Sequence, residues 1–266
     1  MNITRILAPN PGMFTGQGTN TWLLESAGRA VVIDPGPAME EHEEAIVEAL
    51  GEQEPVAVLT THGHLDHVES ANAMATRLNV PALGSCPGPA FKPDRLLADG
   101  DTVEVGEVVI EVIGTPGHTA HHLCFRAGDT LFTGDHVMGG SSVIVEHMTD
   151  YLESLERLRG VGLTTLCPGH GEPMDDPEAV LAWYVDHRLE RERQIVDALD
   201  RGVRMIGDIV EICYEDVDPA FHLMAARSVG AHLRKLADEG LVELPMGSSD
   251  WTSRARYPIA RPDDEA

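Results

Sequence analysis

The sequence predicts an α+β chain, with strands and helices in mixed order and the reactive side chains on loops at strand ends. Three observations lead there. The stretch Thr61-His62-Gly63-His64-Leu65-Asp66-His67 places three imidazoles and a carboxylate within six positions. A strand, a glycine turn and then a histidine or aspartate recur at His62, His118, Asp135 and His170. The C-terminal part reads as helix, helix and hairpin.

Length and composition narrow the class. A chain of 266 residues can bury a large core and holds one big domain or a large and a small one. A net charge of −25 argues against a basic face for nucleic acid, while the scarcity of lysine (Lys92 and Lys235 only) beside plentiful arginine reflects genome composition rather than function. It leaves room for an anionic substrate if divalent ions dominate the field inside a cleft. Cys86, Cys124, Cys167 and Cys213 form no Cys-x-x-Cys pair and read as reduced, mostly buried thiols of a cytoplasmic protein. The N-terminus meets Pro9 before any apolar core develops, so it is not a secretion signal. No apolar run approaches bilayer length, and no membrane partner is expected.

The elements follow from local pattern. Residues 9–19 form a turn-rich loop before the strand Asn20-Thr21-Trp22-Leu23-Leu24. Ala30-Val31-Val32-Ile33-Asp34 is a buried strand stopped by Pro35-Gly36-Pro37, and residues 39–50 make an acidic surface helix. Val56-Ala57-Val58-Leu59-Thr60 is a short, partly β-branched strand, after which Val68, Ala71, Met74, Ala75 and Leu78 recur at helical steps. The histidine loop therefore lies between a strand end and a helix start, where such sheets place their sites.

Further on, residues 82–84 read as a strand, and residues 103–105 with 108–113 as a hairpin around Gly106-Glu107. A second hairpin, 123–126 with 130–133, turns at Gly128-Asp129 and ends in Gly134-Asp135-His136. A helix over 150–159, a strand over 163–167 and the loop Pro168-Gly169-His170-Gly171 follow. A long helix starts at Pro177, two more cover 206–212 and 221–239, and short strands at 241–244 and 255–259 pair around a glycine-serine turn.

Donor spacing suggests two metal ions. His62 and His64, two apart on an extended segment, point the same way, whereas Asp66 and His67, adjacent on a turn, aim elsewhere.

The motif set resembles that of the metallo-β-lactamase fold hydrolases: Thr-His-Gly-His-Leu-Asp-His, Gly-Thr-Pro-Gly-His-Thr, Phe-Thr-Gly-Asp-His and Cys-Pro-Gly-His-Gly, spread over residues 10–175. The opening Thr-Gly-Gln-Gly-Thr-Asn-Thr-Trp-Leu and the segment Thr-Gly-Asp-His-Val-Met-Gly-Gly resemble the branch that contains β-lactamase-like protein 2 endoribonucleases. The resemblance implies a four-layer αβ/βα sandwich over residues 1–190 and a small winged-helix-like domain over 191–266. It implies two Zn²⁺ per chain, with His62, His64 and His118 on one, Asp66, His67 and His170 on the other, and Asp135 bridging. Donor chemistry agrees, since imidazole suits zinc at about 2.0–2.1 Å and a carboxylate can span ions about 3.5–4 Å apart. A hydroxide bridging the ions is then the nucleophile, with Asp66 as its general base. His122, four residues after His118, supports a ligand or touches the leaving group rather than ligating. His121 and His136 are read as structural or exposed, and His147 lies in a turn where relatives carry a longer, proline-containing loop.

Two substrate readings follow. The first is a phosphodiester, as for an endoribonuclease acting on single-stranded RNA; its weakness is the shortage of basic residues. The second is a thioester or lactone, as for a polyketide thioesterase or a glyoxalase II-like enzyme, which needs no positive channel. A secreted β-lactamase lacks a bridging aspartate, and a regulatory module would not keep all seven ligand positions. The small domain has no row of lysine or arginine on its second helix, so it is expected to cap the site rather than read DNA sequence. Relatives suggest a homodimer.

Overall fold

The computed structural model describes residues 1–139 and 142–243. Two compact units emerge, one of residues 1–116, 121–143 and 158–181, the other of 117–120, 144–157 and 182 onward.

The larger unit holds two six-stranded sheets. The first runs β1 (Asn2–Leu7), β2 (Asn20–Ser26), β3 (Arg29–Ile33), β4 (Glu54–Leu59), β5 (Ala82–Gly84) and β6 (Arg95–Leu96) in spatial order. The second runs from β7 (Thr102–Val105) through β8 (Val108–Gly114), β9 (Leu123–Ala127), β10 (Thr130–Gly134) and β11 (Thr165–Pro168) to β12 (Met174–Asp175). Both are mixed. Strands β3 to β6 pair in parallel and β1 to β3 antiparallel, while in the second sheet β10 and β11 form the parallel pair. Parallel neighbours need long crossovers. Helix α1 (Glu40–Leu50) supplies one between β3 and β4, and α2 (Leu65–Val68) with α3 (Ala71–Leu78) supplies the next.

Alternation along the strands sets the layers. Trp22, Leu24, Val31, Ile33, Ala57 and Leu59 face the second sheet, where Val105, Ile110, Val112, Phe125 and Phe132 meet them in one buried cluster. Their neighbours Leu23, Ala30, Val32 and Val58 point the other way and pack with Ile46, Leu50, Met74 and Ala75 of α1 and α3. Strand ends are thereby fixed on a rigid double layer, and the loops that leave them carry the reactive groups.

Local differences from the sequence reading have plain causes. Strands β1, β6 and β12 escape it because they are sheet edges held by pairing rather than full burial; Arg95 and Leu96 are both exposed. The helical spacing after Asp66 is continuous in sequence but broken in space. Ser70 interrupts it, its hydroxyl donating to the carbonyls of Pro35 and Gly36 at 3.1 Å each. The next helix, α4 (Met148–Arg157), and strand β11 begin two residues from where the pattern puts them.

In the second unit α4 is joined by most of α5 (Pro177–Asp200), by α6 (Ile206–Cys213), a 3₁₀ turn (Pro219–Phe221) and α7 (His222–Asp238). Ala225, Val229, Leu233 and Leu236 form the apolar stripe of α7 and bury against Ile195, Leu199, Ile209 and Val210. His232, also on that face, is buried with Nδ1 3.0 Å from Glu192 Oε2, whose other oxygen accepts from Lys235 Nζ at 2.7 Å. Residues 244 and 255–259 of the expected hairpin, and Gly140, lie outside the described residues.

Candidate metal centre

Strand β4 runs out at Leu59, and after Thr60 the chain bends at Thr61 and His62. The chain then turns into α2 with His64 at its N-cap (ψ 144°), which leaves Asp66 and His67 on a helical turn. The other three groups come from the 117–120 segment (His118), the end of β10 (Asp135) and the end of β11 (His170).

All seven expected donors fall into two groups. His62, His64, His118 and Asp135 each offer a ligand atom, all within 4.8 Å of one another. Asp66, His67 and His170 form the second such group. Asp135 reaches toward both. Its Oδ1 lies 3.4 Å from His67 Nε2 and 3.5 Å from His170 Nε2, and its Oδ2 lies 3.9 Å from His62 Nε2. His170 Nε2 is also 3.2 Å from Asp66 Oδ2. Only His64 and part of Asp66 meet solvent.

The hydrogen bonds behind the rings fix their tautomers. Carbonyls and carboxylates only accept, so Nδ1 must donate from His67 to Asp34 Oδ2 (2.9 Å), from His118 to Ile144 O (2.7 Å) and from His170 to Gly18 O (3.1 Å). Thr61 gives its single hydroxyl proton to Asp34 Oδ2 at 2.7 Å, so its oxygen accepts from His62 Nδ1 at 3.0 Å. Four rings are thus protonated on the outside and turn Nε2 inward. The fifth, His64, sets Nδ1 2.9 Å from His62 Nε2. Five nitrogens and two carboxylates converging in this way are the donor set of a divalent transition metal, with the outer partners such ligands require.

Charge in the metal-free cluster tells the same story. Burial would raise the Asp66 and Asp135 pKa values, but the neighbouring histidines outweigh it, holding Asp66 at about 2 and Asp135 well below the carboxylate range. Burial would lower His170, yet Asp135 and Asp66 push it up to about 9. His67, buried between Asp135 and Asp34, is likewise raised well above its ordinary value. These carboxylates demand positive charge, from protons if not from an ion.

Several supporting residues carry no sequence motif. Asp34 adopts a left-handed backbone (φ 50°), uncommon for a residue with a side chain, and its carboxylate accepts from Thr61 N, Thr61 Oγ1 and His67. A carboxylate straight after a buried strand is the one available signal. Thr19 Oγ1 donates to Asp66 Oδ2 at 3.1 Å and accepts from Asn10 Nδ2 at 3.0 Å. Gly169 passes so close behind the cluster that a Cβ there would sit 2.5 Å from Asp135 Oδ1. His122 is outside both groups. It is buried, stacked 5.1 Å behind the His62 ring, with Nδ1 2.9 Å from Thr115 Oγ1. His136 is fully buried beside it and His121 is exposed.

Comparison with known proteins gives the class. The family model described as Metallo-beta-lactamase superfamily matches residues 14–170, and that of the Beta-lactamase associated winged helix domain matches residues 206–251. The chain belongs to the metallo-β-lactamase superfamily, with its two mixed sheets and a C-terminal winged-helix domain, and is a hydrolase. It is 32% identical over 259 residues to a β-lactamase-like protein 2 homolog of Caenorhabditis elegans, covering 91% of this chain and 86% of that one. An atrochrysone carboxyl ACP thioesterase of Aspergillus chevalieri is 35% identical over 229 residues, covering 83% and 73%. Among solved structures, a metallo-β-lactamase family protein of Thermus thermophilus superposes with a TM-score of 0.78 at 21% identity, covering 97% of this chain and 98% of that chain, which shows the shared fold. No helix among the described residues is long and apolar enough to cross a membrane.

Proposed function

We propose that the chain is a dinuclear zinc-dependent hydrolase of acyl thioesters or esters, with its catalytic domain over residues 1–190 and the winged-helix-like domain over 191–266. In this reading His62, His64 and His118 hold one ion, Asp66, His67 and His170 the other, and Asp135 is shared. The observation that carries it is Asp135, whose two oxygens approach histidines of both donor groups, at 3.4 and 3.5 Å on one side and 3.9 Å on the other. Two ions held there would acidify a bound water toward pH 7 and polarise the scissile group.

The side chains divide the remaining work. The Thr19 hydroxyl donates to Asp66 Oδ2 at 3.1 Å and so orients Asp66. Asp66 is the general base, accepting the proton of the attacking water and returning it to the leaving group. His122 acts through the His62 ring it backs; its burial leaves little of it to touch a leaving group.

Two features support an acyl substrate. A net charge of −25, with 44 acidic side chains against 19 lysines and arginines, disfavours gripping a polyanion, and a relative at 35% identity is named a thioesterase. The second reading, phosphodiester cleavage by an endoribonuclease, draws on the 32% identical β-lactamase-like protein 2 homolog and on the suitability of a metal pair for such substrates.

Zinc content measured alongside turnover of an acyl thioester, a bis-phosphate ester and single-stranded RNA separates them. Two zinc ions per chain and thioester hydrolysis are expected. RNA cleavage without thioester hydrolysis would reject the acyl substrate. Full activity with one ion per chain would reject the paired centre.

A further inference from the structure

We infer that Arg234 of α7 is a positioning residue for His118, so that the C-terminal helices control how well the first donor group holds its ion. The inference rests on His118 being a ligand, as proposed above. Every contact it uses lies inside the second unit.

The ring of His118 takes its direction from Nδ1, which donates to the Ile144 carbonyl at 2.7 Å. That carbonyl belongs to a short segment that clasps the histidine's own turn. Glu146 N and His147 N both donate to Gly117 O, at 2.8 and 3.0 Å. The turn also rests directly on α4. Gly117 has φ +138°, and a Cβ there would lie 2.4 Å from Tyr151 Cα, so the backbones touch with no side chain between them.

Two arginines then fasten this clasp to the C-terminal helices. Arg234 Nη2 donates to Glu146 O at 2.7 Å, bridging α7 to the segment between Ile144 and His147. Arg188 of α5 sets its guanidinium 5.3 Å above the buried Tyr151 ring. Segment 144–147 carries no regular structure of its own before α4 begins at Met148. Bonds to its neighbours therefore hold it in place, and among those named the charged one, from Arg234 to Glu146 O, is the strongest in kind. Without it the Glu146 carbonyl loses a charged donor and the segment can drift. The Ile144 oxygen goes with it, and the His118 ring loses its fixed direction. Loss of a ligand's outer partner weakens metal binding by about 10–100-fold. Acting one bond further out, Arg234 is expected to be worth about tenfold, at the lower end of that range.

The test uses the full-length, metal-stripped chain titrated with Co²⁺, reading the visible d–d bands, with melting temperature as a separate measure of folding. Arg234→Met should melt like the parent, bind one Co²⁺ with parental affinity and the other about tenfold more weakly. Arg234→Lys, which keeps a charged donor, should recover most of the loss. Parental binding of both ions by Arg234→Met would overturn the inference; should that variant not fold, Arg234→Gln is read by the same standard. His118→Ala separates the two levels. If it binds both ions as the parent does, the ligand assignment itself fails. If it loses one ion while the Arg234 variants lose nothing, only the role of Arg234 fails.

Discussion

The two sheets contribute to the metal centre in opposite styles. From the first come His62, His64, Asp66 and His67, four groups within six consecutive residues after β4. The loops after β8, β10 and β11 of the second give one group each, His118, Asp135 and His170, more than fifty residues from first to last. Their bracing differs as well. His62 and His67 lean on side chains, the Thr61 hydroxyl and the Asp34 carboxylate, whereas His118 and His170 lean on the backbone oxygens of Ile144 and Gly18. One half of the centre can thus be undone by replacing its supports. The other half yields to changes in the ligands, in the chain path, or in what pins that path, such as Arg234 on Glu146 O.

The largest expected effect lies where the halves meet. Asp135→Ala removes the carboxylate common to both groups, so metal content and hydrolysis should both collapse, by more than the roughly 100-fold ceiling of an outer-partner loss. A fully loaded, fully active Asp135→Ala protein would break the comparison outright. Next is Asp34→Asn, which should weaken metal retention about 10–100-fold against a competing chelator. The loss should fall chiefly on the His67 group, because His67 bonds Asp34 directly, whereas His62 is linked to it through the Thr61 hydroxyl. Equal weakening of both groups would mean that side-chain bracing is not local. A smaller change is expected for Thr61→Val. It deletes the hydroxyl between Asp34 and His62 but keeps Thr61 N on Asp34 Oδ1 at 2.8 Å, and should cost about 1 kcal/mol of stability in thermal melts.

A pH effect is confined to the metal-free protein. His170 titrates near 9 when folded against 6.5 as the unperturbed reference. Its protonated form therefore stabilises the fold fully below about pH 6.5, and that contribution is lost as the pH rises through 9. Melting temperature should decline over this window without metal and stay level with zinc bound, since the ion then replaces the proton. Parallel declines in both forms would argue that Nε2 of His170 carries no ion.

Legibility in the sequence follows the same divide. The clustered donors announce themselves, because six residues of one chain cannot be far apart. His118, Asp135 and His170 are readable only as a repeated strand–turn–donor pattern, and it takes the folded sheets to bring them together. Asp34 reads merely as the last residue of a strand: a lone aspartate before Pro35-Gly36 looks like any turn, and only its left-handed backbone and three bonds distinguish it. The core strands β2, β3, β4 and β9 are plain from apolar runs, whereas β1, β6 and β12 are strands by virtue of their neighbours. The link from Arg234 to His118 has no signature at all, since it passes through main-chain atoms.

The carbonyl of Ile144 has a practical consequence for anyone surveying this enzyme by exhaustive substitution. Every amino acid brings the same oxygen, so exchanging Ile144 for others of similar bulk would leave His118 held as before. The position would score as dispensable. Its importance would surface only when the path is altered, by inserting or deleting a residue between 144 and 147, or by chemistry that edits the peptide unit itself.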